Sequence, residues 1–258
     1  MGVKQDIITE IFESCWKSGK RIFDNDMVKQ ICRKHSFGNP FDATKLDNTS
    51  VIPSKLVAED YFIIHLGHGR HKFVKGIKRG YCNFPRVQRG NRIPWKYRQS
   101  LLNEFDTSES NILSVASNQR VIHDFLYEDI VASPKVYNSR RTTMNCSYKI
   151  GEEAVQVERL QMEIDLTMEL GGVVTVFEGK NGFPKDFAVY QVFHPYKYYC
   201  KLRNEKRLNM REITCCYVLR KRIKDTSCLR LFNYTFEDEN DMVSIKLVKS
   251  AQYDLVKR

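Results

Sequence analysis

Residues 159–177 constrain this chain more than any other stretch, because their pattern closes as a β-hairpin. Leu160, Met162, Ile164, Leu166 and Met168 alternate with Arg159, Gln161, Glu163, Asp165, Thr167 and Glu169. A period of two is the pattern of a half-buried strand. Leu170-Gly171-Gly172 follows, and glycine takes the positive φ that a tight hairpin turn requires. Val173 to Phe177 is then apolar on both faces, as a central strand should be. Glu178 and Lys180 are two residues apart and so project from one face of that strand. Across the hairpin Asp165 comes near Glu178, within reach of one metal ion. A Glu-x-Lys pair at a strand end is usually a solvated salt bridge. The hairpin before it and the helix after it favour a site here, since two carboxylates can hold a hard divalent cation and an adjacent lysine can steady a water or a phosphate oxygen.

Asn181-Gly182-Phe183-Pro184-Lys185 leads into a helix, with Asp186 as its N-cap or first-turn acid. Val189, Val192, Phe193 and Tyr196 fall at helical spacing, and Pro195 is expected to kink or end the first segment. Gln191 lies on the other face, directed toward Lys180. Ile213–Leu219, Leu229–Phe236 and Ser244–Val248 read as further strands.

This order resembles the core of the PD-(D/E)xK nuclease superfamily, type II restriction endonucleases in particular. The matching residues are Asp165, Glu178 and Lys180, with Gln191 in the following helix. The first acid follows Ile164, where the family often has proline, and Glu163 on the same face is the alternative first acid. The resemblance implies an α+β fold whose α/β nuclease core is a central mixed β-sheet flanked by helices. It implies Mg²⁺ held by Asp165, Glu178 and the Gly179 carbonyl, Lys180 orienting or helping to deprotonate a water, and Gln191 supporting from behind. It also implies double-stranded DNA as substrate and a C2 homodimer on palindromic sites. Ser110 to Ile130 reads as one long helix, and the family's opening helix sometimes lends an acid. Glu109, Asp124 and Glu128 are the candidates.

The formal charge of +11 is uneven. Tyr61 to Asn103 contains no acid and ten basic residues: Arg70, Lys72, Lys75, Lys78, Arg79, Arg86, Arg89, Arg92, Lys96 and Arg98. That bias favours a polyanion partner, and Arg70, Lys72, Arg79, Arg86, Arg89, Arg92, Lys96 and Arg98 are candidate DNA contacts. Anionic lipid is the rival, but glycine and proline interrupt any amphipathic helix there. A second basic block, His194 to Lys224, adds Lys197 and Tyr198.

Ile7, Ile8, Ile11, Phe12 and Cys15 form one helical stripe, Met27, Val28, Ile31 and Cys32 a second, and Leu46–Glu59 is expected to hold a third, broken near Pro53. Tyr61–Leu66 and His71–Val74 alternate about Gly67-His68-Gly69, as a hairpin would. Three helices and a basic hairpin make a winged-helix-like domain or a helical cap. As a winged helix it would set the Lys45–Leu56 helix in a groove and the hairpin on the DNA backbone. His65, His68 and His71 suit phosphate contact better than metal. The expected organisation is a winged-helix-like DNA-binding domain at 1–78, a basic linker at 79–98 and a nuclease domain at 99–258.

No apolar run is long enough for a membrane span, and no P-loop, dinucleotide turn or Ser/His/Asp arrangement occurs, so no nucleotide cofactor is expected. Eight scattered cysteines without Cys-x-x-Cys suggest reduced thiols in a cytoplasmic protein. The expected function is a Mg²⁺-dependent, sequence-specific DNA endonuclease of a restriction-modification system. A repair or junction-resolving nuclease and a non-catalytic DNA-binding regulator are the alternatives.

Overall fold

The computed structural model describes residues 2–97, 100, 109–223 and 226–257. The N-terminal part grows from amphipathic helices. In α1 (Val3–Lys17) the stripe Ile7, Ile8, Ile11, Phe12 and Cys15 is buried. β1 (Ile22–Asp24) ends on Asp24, whose Oδ1 accepts from the Asp26 and Met27 amides at 3.1 and 2.9 Å and caps α2 (Asn25–Lys34). A single turn, α3 (Pro40–Ala43), and the short α4 (Ser54–Glu59) precede β2 (Tyr61–Gly67) and β3 (Arg70–Lys75). The strands pair antiparallel in the order β1-β3-β2. The N-terminal part is thus a helix, a strand, three further helices and a hairpin.

Its expected third helix is cut down. Asn48 caps a 3-10 turn at Thr49–Val51 through the Ser50 amide, and Pro53 stands before α4. Thr49 is held instead by Asp186 of the C-terminal part, which accepts from its amide at 2.7 Å and from its hydroxyl.

Of the segment 79–98, expected as a linker, the described residues 79–97 are built into the fold. Beyond α5 (Ile77–Gly80), β4 (Tyr81–Asn83) pairs with β9 (Asp186–Ala188), and β5 (Arg92–Tyr97) is an edge strand of the main sheet. Among the described residues that sheet has seven strands in the order β5-β12-β11-β10-β8-β7-β6. The others are β6 (Lys135–Ile150), β7 (Glu153–Leu170), β8 (Val173–Asn181), β10 (Glu212–Ile223), β11 (Thr226–Phe236) and β12 (Ile245–Lys257). β6, β7 and β8 form an antiparallel meander turning at Gly171 and Gly172, both at positive φ. The helix α8 (Tyr190–Lys206) then crosses over, and β10 returns parallel to β8. The result is α+β with a central mixed sheet flanked by helices.

Two expectations about the helices change. Ser110–Ile130 is two helices, α6 (Glu109–Asn118) and α7 (Val121–Tyr127), parted at Arg120 with φ 60°. The Trp95 indole donates to the Gln119 carbonyl at 2.8 Å, which satisfies an acceptor freed by the break. α8 runs through Pro195 without ending. Its face, including Pro195, is buried against the sheet, and that packing outweighs the lost backbone bond.

Each sheet face has its own core. Phe177, Cys216, Val218, Leu229, Leu231 and Tyr253 pack under α6 and α7. Val176, Cys215, Tyr217, Leu219 and Phe232 face the other way and share one continuous core with α8 and the N-terminal part. Among the described residues no helix is long and apolar enough to cross a membrane.

The hairpin of the N-terminal part is not free. Gly67 (φ 80°) lies so close to β7 that an added Cβ would clash with the Glu158 carbonyl oxygen. Gly67→Ala should therefore destabilise the chain by about 3 kcal/mol or more, through the strained φ and a backbone clash. Denaturant unfolding tests this, and an unchanged midpoint would mean that the hairpin stands away from β7.

Candidate active site

The β7–β8 ladder runs from Leu170–Val173 to Leu166–Phe177 and stops there. The next rung in that register is Asp165 and Glu178. Here the strands part, since β7 stays with β6 while β8 stays with β10 as far as Asn181–Arg220. At the fork the Gly179 amide donates to Asp165 Oδ2 at 3.1 Å. A strand residue turns its N–H and C=O toward the same neighbour, so the Gly179 carbonyl also faces the fork. Lys180 Nζ lies 3.2 Å from Glu178 Oε1, with the two side chains 22% and 14% exposed. The pair is sheltered yet open to a ligand.

Tyr217 stands beside Glu178 in the parallel β8–β10 register. Its hydroxyl donates to Gln191 Oε1 at 2.8 Å, and Gln191 Nε2 donates to Asp47 Oδ1 at 3.2 Å. Gln191 thus joins Tyr217, beside Glu178, to Asp47. Burial pushes the Tyr217 phenol pKa far up, and the charges of Glu178 and Asp47 push it further. Tyr190 is raised in the same way, by burial first and then by Asp47. Both phenols stay protonated, and that of Tyr217 serves as a donor.

Asp47 comes from the N-terminal part. Its carbonyl accepts from the Ala188 amide at 2.8 Å, and the Leu46 carbonyl accepts from the Tyr81 hydroxyl at 2.8 Å. Asp186, expected as a helix cap, is instead the 3%-exposed anchor of this contact, and Val189 occupies the N-cap position. Neither Asp47 nor Tyr217 was legible as a site residue. Both depend on pairings between distant segments that no local periodicity encodes.

The other candidate acids lie elsewhere. Glu163 is 60% exposed and bound to Arg141 on β6, which leaves Asp165 as the acid at the fork. Asp124 accepts from the Tyr253 hydroxyl at 2.6 Å on the α7 side of the sheet. Glu128 pairs with Lys249 at 3.5 Å, and Glu109 opens α6.

The basic candidates divide. Arg86, Arg89, Arg92 and Lys96 are exposed. Arg70 pairs with Glu158 at 3.5 Å and Lys72 with Glu153 at 2.6 Å, both of them acids of β7. Arg79 packs against Gly76 and Gly151. Lys197, expected to face DNA, is 8% exposed and bound to Asn240, because α8 turns that position toward the loop before β12. Tyr198 packs edge-on to Tyr199. Arg98 lies outside the described residues. His65 and His71, weighed as phosphate contacts, are hydrogen-bonded to each other at 2.8 Å between their Nδ1 atoms.

No group of three or more His, Cys, Asp or Glu side chains arranged to hold a metal occurs among the described residues. An ion at the fork would have two carboxylates, with the Gly179 carbonyl and water completing its shell. Mg²⁺ is commonly held by one or two carboxylates and retains several waters, so the donor set fits it.

Two family models match the chain. One, described as Domain of unknown function (DUF6996), covers residues 5–73, and the other, Domain of unknown function (DUF6997), covers residues 76–254. No curated protein and no solved structure matches.

Proposed function

The chain belongs to the family described as Domain of unknown function (DUF6997), and we propose that it is a Mg²⁺-dependent endonuclease of the PD-(D/E)xK type acting on double-stranded DNA. The observation that carries this reading is the fork. Asp165 and the Glu178–Lys180 pair meet where an antiparallel meander opens, and the helix and parallel strand that follow complete a helix, three-strand, helix, strand order.

Asp165, Glu178 and the Gly179 carbonyl would hold the ion, which when bound would offset charge on the phosphate and favour departure of the 3′ oxygen. Lys180, placed by Glu178, would donate to the attacking water or a phosphate oxygen and fix its line of approach. Tyr217, Gln191 and Asp47 would keep the Glu178 strand from shifting. Palindromic cutting would use a C2 homodimer, and the buried cysteines suit a cytoplasmic enzyme. The regulator alternative has less support. The hairpin tip lies on β7 and the loop before α4 on residues 186–191, so two of the surfaces a winged helix presents to DNA are engaged within the chain.

The test is digestion of methylated and unmethylated supercoiled plasmid with and without Mg²⁺. Linear or nicked product is expected only with the ion. Intact plasmid of both kinds with Mg²⁺ or Mn²⁺ present would overturn the reading. Lys180→Ala should slow cleavage roughly 10²–10⁴-fold with DNA affinity retained. Lys180→Arg should fail too, since a planar guanidinium does not replace a compact ammonium. Normal cutting by Lys180→Arg would reduce the role of Lys180 to a point charge.

A further inference from the structure

The pairing registers align one row of residues across five strands. Lys180 on β8 sits beside Leu219 on β10, Leu219 opposite Arg230 on β11, Arg230 opposite Gln252 on β12, and Gln252 beside Arg92 on β5. Residues paired across a sheet project from the same face, so this row points to the Lys180 side. The cores agree: Leu219 belongs to the α8-side core, while Leu229, Leu231, Ala251 and Tyr253 point the other way. Arg230 Nε donates to Gln252 Oε1 at 2.8 Å, as two side chains on one face can. Lys221, two residues beyond Leu219, is on this face and exposed.

The row is where the aromatic cover of this face ends. Phe84 packs over Tyr217 and Phe232, one row back, at 5.2 and 4.9 Å. At the row itself Phe183, from the loop after Lys180, lies against the Arg230 guanidinium at 4.0 Å. Among the described residues Arg92, Lys221 and Arg230 form no ion pair. The acid on this stretch, Asp254, accepts from Gln252 Nε2 at 3.0 Å. By contrast Arg220 and Arg222 alternate to the far face, where Arg220 donates to Asn111 of α6 at 3.0 Å.

We propose that this row is the track on which the phosphodiester backbone of the substrate strand lies, with Lys221, Arg230 and Arg92 as phosphate contacts leading away from Lys180. Neighbouring strands are about 4.8 Å apart, so the four steps from β8 to β5 span about 19 Å, and at about 3.4 Å of duplex axis per phosphate on a strand that is about six phosphates. Phe183 lies over the half-buried Arg230 guanidinium, which favours a fixed phosphate contact over a wandering one. The assignment rests on the nuclease reading for the identity of the strand, and the geometry of the row is independent of it.

The test is binding in EDTA, where no cleavage occurs, of a fluorescein-labelled duplex by the full chain over a range of KCl. Lys221→Ala, Arg230→Ala and Arg92→Ala should each lower the slope of log K against log salt by about 1, and the triple variant by about 2–3. Arg230→Lys should keep the slope, and Arg222→Ala, one residue from Lys221 but on the other face, should leave it unchanged. Thermal midpoints would separate lost contacts from lost fold. Equal effects of Lys221→Ala and Arg222→Ala, or an unchanged slope in a folded triple variant, would overturn the track. So would preferential capture of phosphatidylserine vesicles over duplex. A plasmid that Mg²⁺ leaves intact, with these slopes as expected, would count against the nuclease reading and leave the track standing.

Discussion

Asp165→Ala and Glu178→Ala variants are expected to bind duplex DNA and leave it uncut. Each removes one of the two carboxylates at the fork, and among the described residues no group of three or more His, Cys, Asp or Glu is placed to hold an ion instead. The loss should be on the order of 10³-fold or more in rate, which is several kcal/mol of barrier. Binding should tighten slightly, because a negative charge facing the phosphates is gone. Asp165→Asn is the sharper variant. It keeps an oxygen that can accept from the Gly179 amide, so the fork stays closed while the charge disappears. Cleavage and anisotropy measured on one preparation separate the steps. Wild-type-like cutting by any of the three variants would remove this site from consideration.

Acid should loosen the seam between the N-terminal part and the sheet. His71 Nε2 meets Asn25 Oδ1 at 2.9 Å and therefore donates, so His71 Nδ1 accepts from His65 Nδ1–H. The His65 ring stacks edge-on to Tyr190, and His194, one turn along α8, meets the Tyr148 hydroxyl at 3.1 Å. These imidazoles are neutral because burial disfavours their charged forms. The pKa of His71 is pushed down to about 4 and that of His194 to about 3, and His65 is lowered too, by burial and by His71. A proton on His71 Nδ1 would also set two N–H groups against each other.

An unfolded histidine titrates near 6.5, so below that pH the unfolded chain takes up protons that the folded chain refuses. Stability is full above pH 6.5 and falls by about 1.4 kcal/mol per pH unit for each histidine, until its own folded pKa is reached. By pH 4.5 that is roughly 2–3 kcal/mol per group, against a total of about 5–15 kcal/mol for an ordinary domain. Denaturant midpoints between pH 7.5 and 4.5 measure it. A flat profile over that range would mean that water reaches these rings.

The hairpin, its Gly-Gly turn and the shared face of Glu178 and Lys180 were determined by the sequence alone. Each depends on neighbours two residues apart or on a turn a few residues long, where alternation and glycine carry the information. The stripes of α1 and α2 and the strands after α8 were legible for the same reason. Where two local rules competed, packing chose. Pro195 did not end α8 because a buried face held it, and Arg120 broke an otherwise apolar helix where Trp95 could satisfy the Gln119 carbonyl. Charge was legible as an amount but not as a direction. Lys197 turned inward, Lys72 met an acid of β7, and neighbouring Lys221 and Arg222 went to opposite faces. Asp47 and Tyr217 were decided only by tertiary structure. One reaches the site across 144 residues to Gln191, the other by a parallel register set through a crossover helix. Such contacts follow from how whole surfaces fit, and no pattern within a short window records that fit.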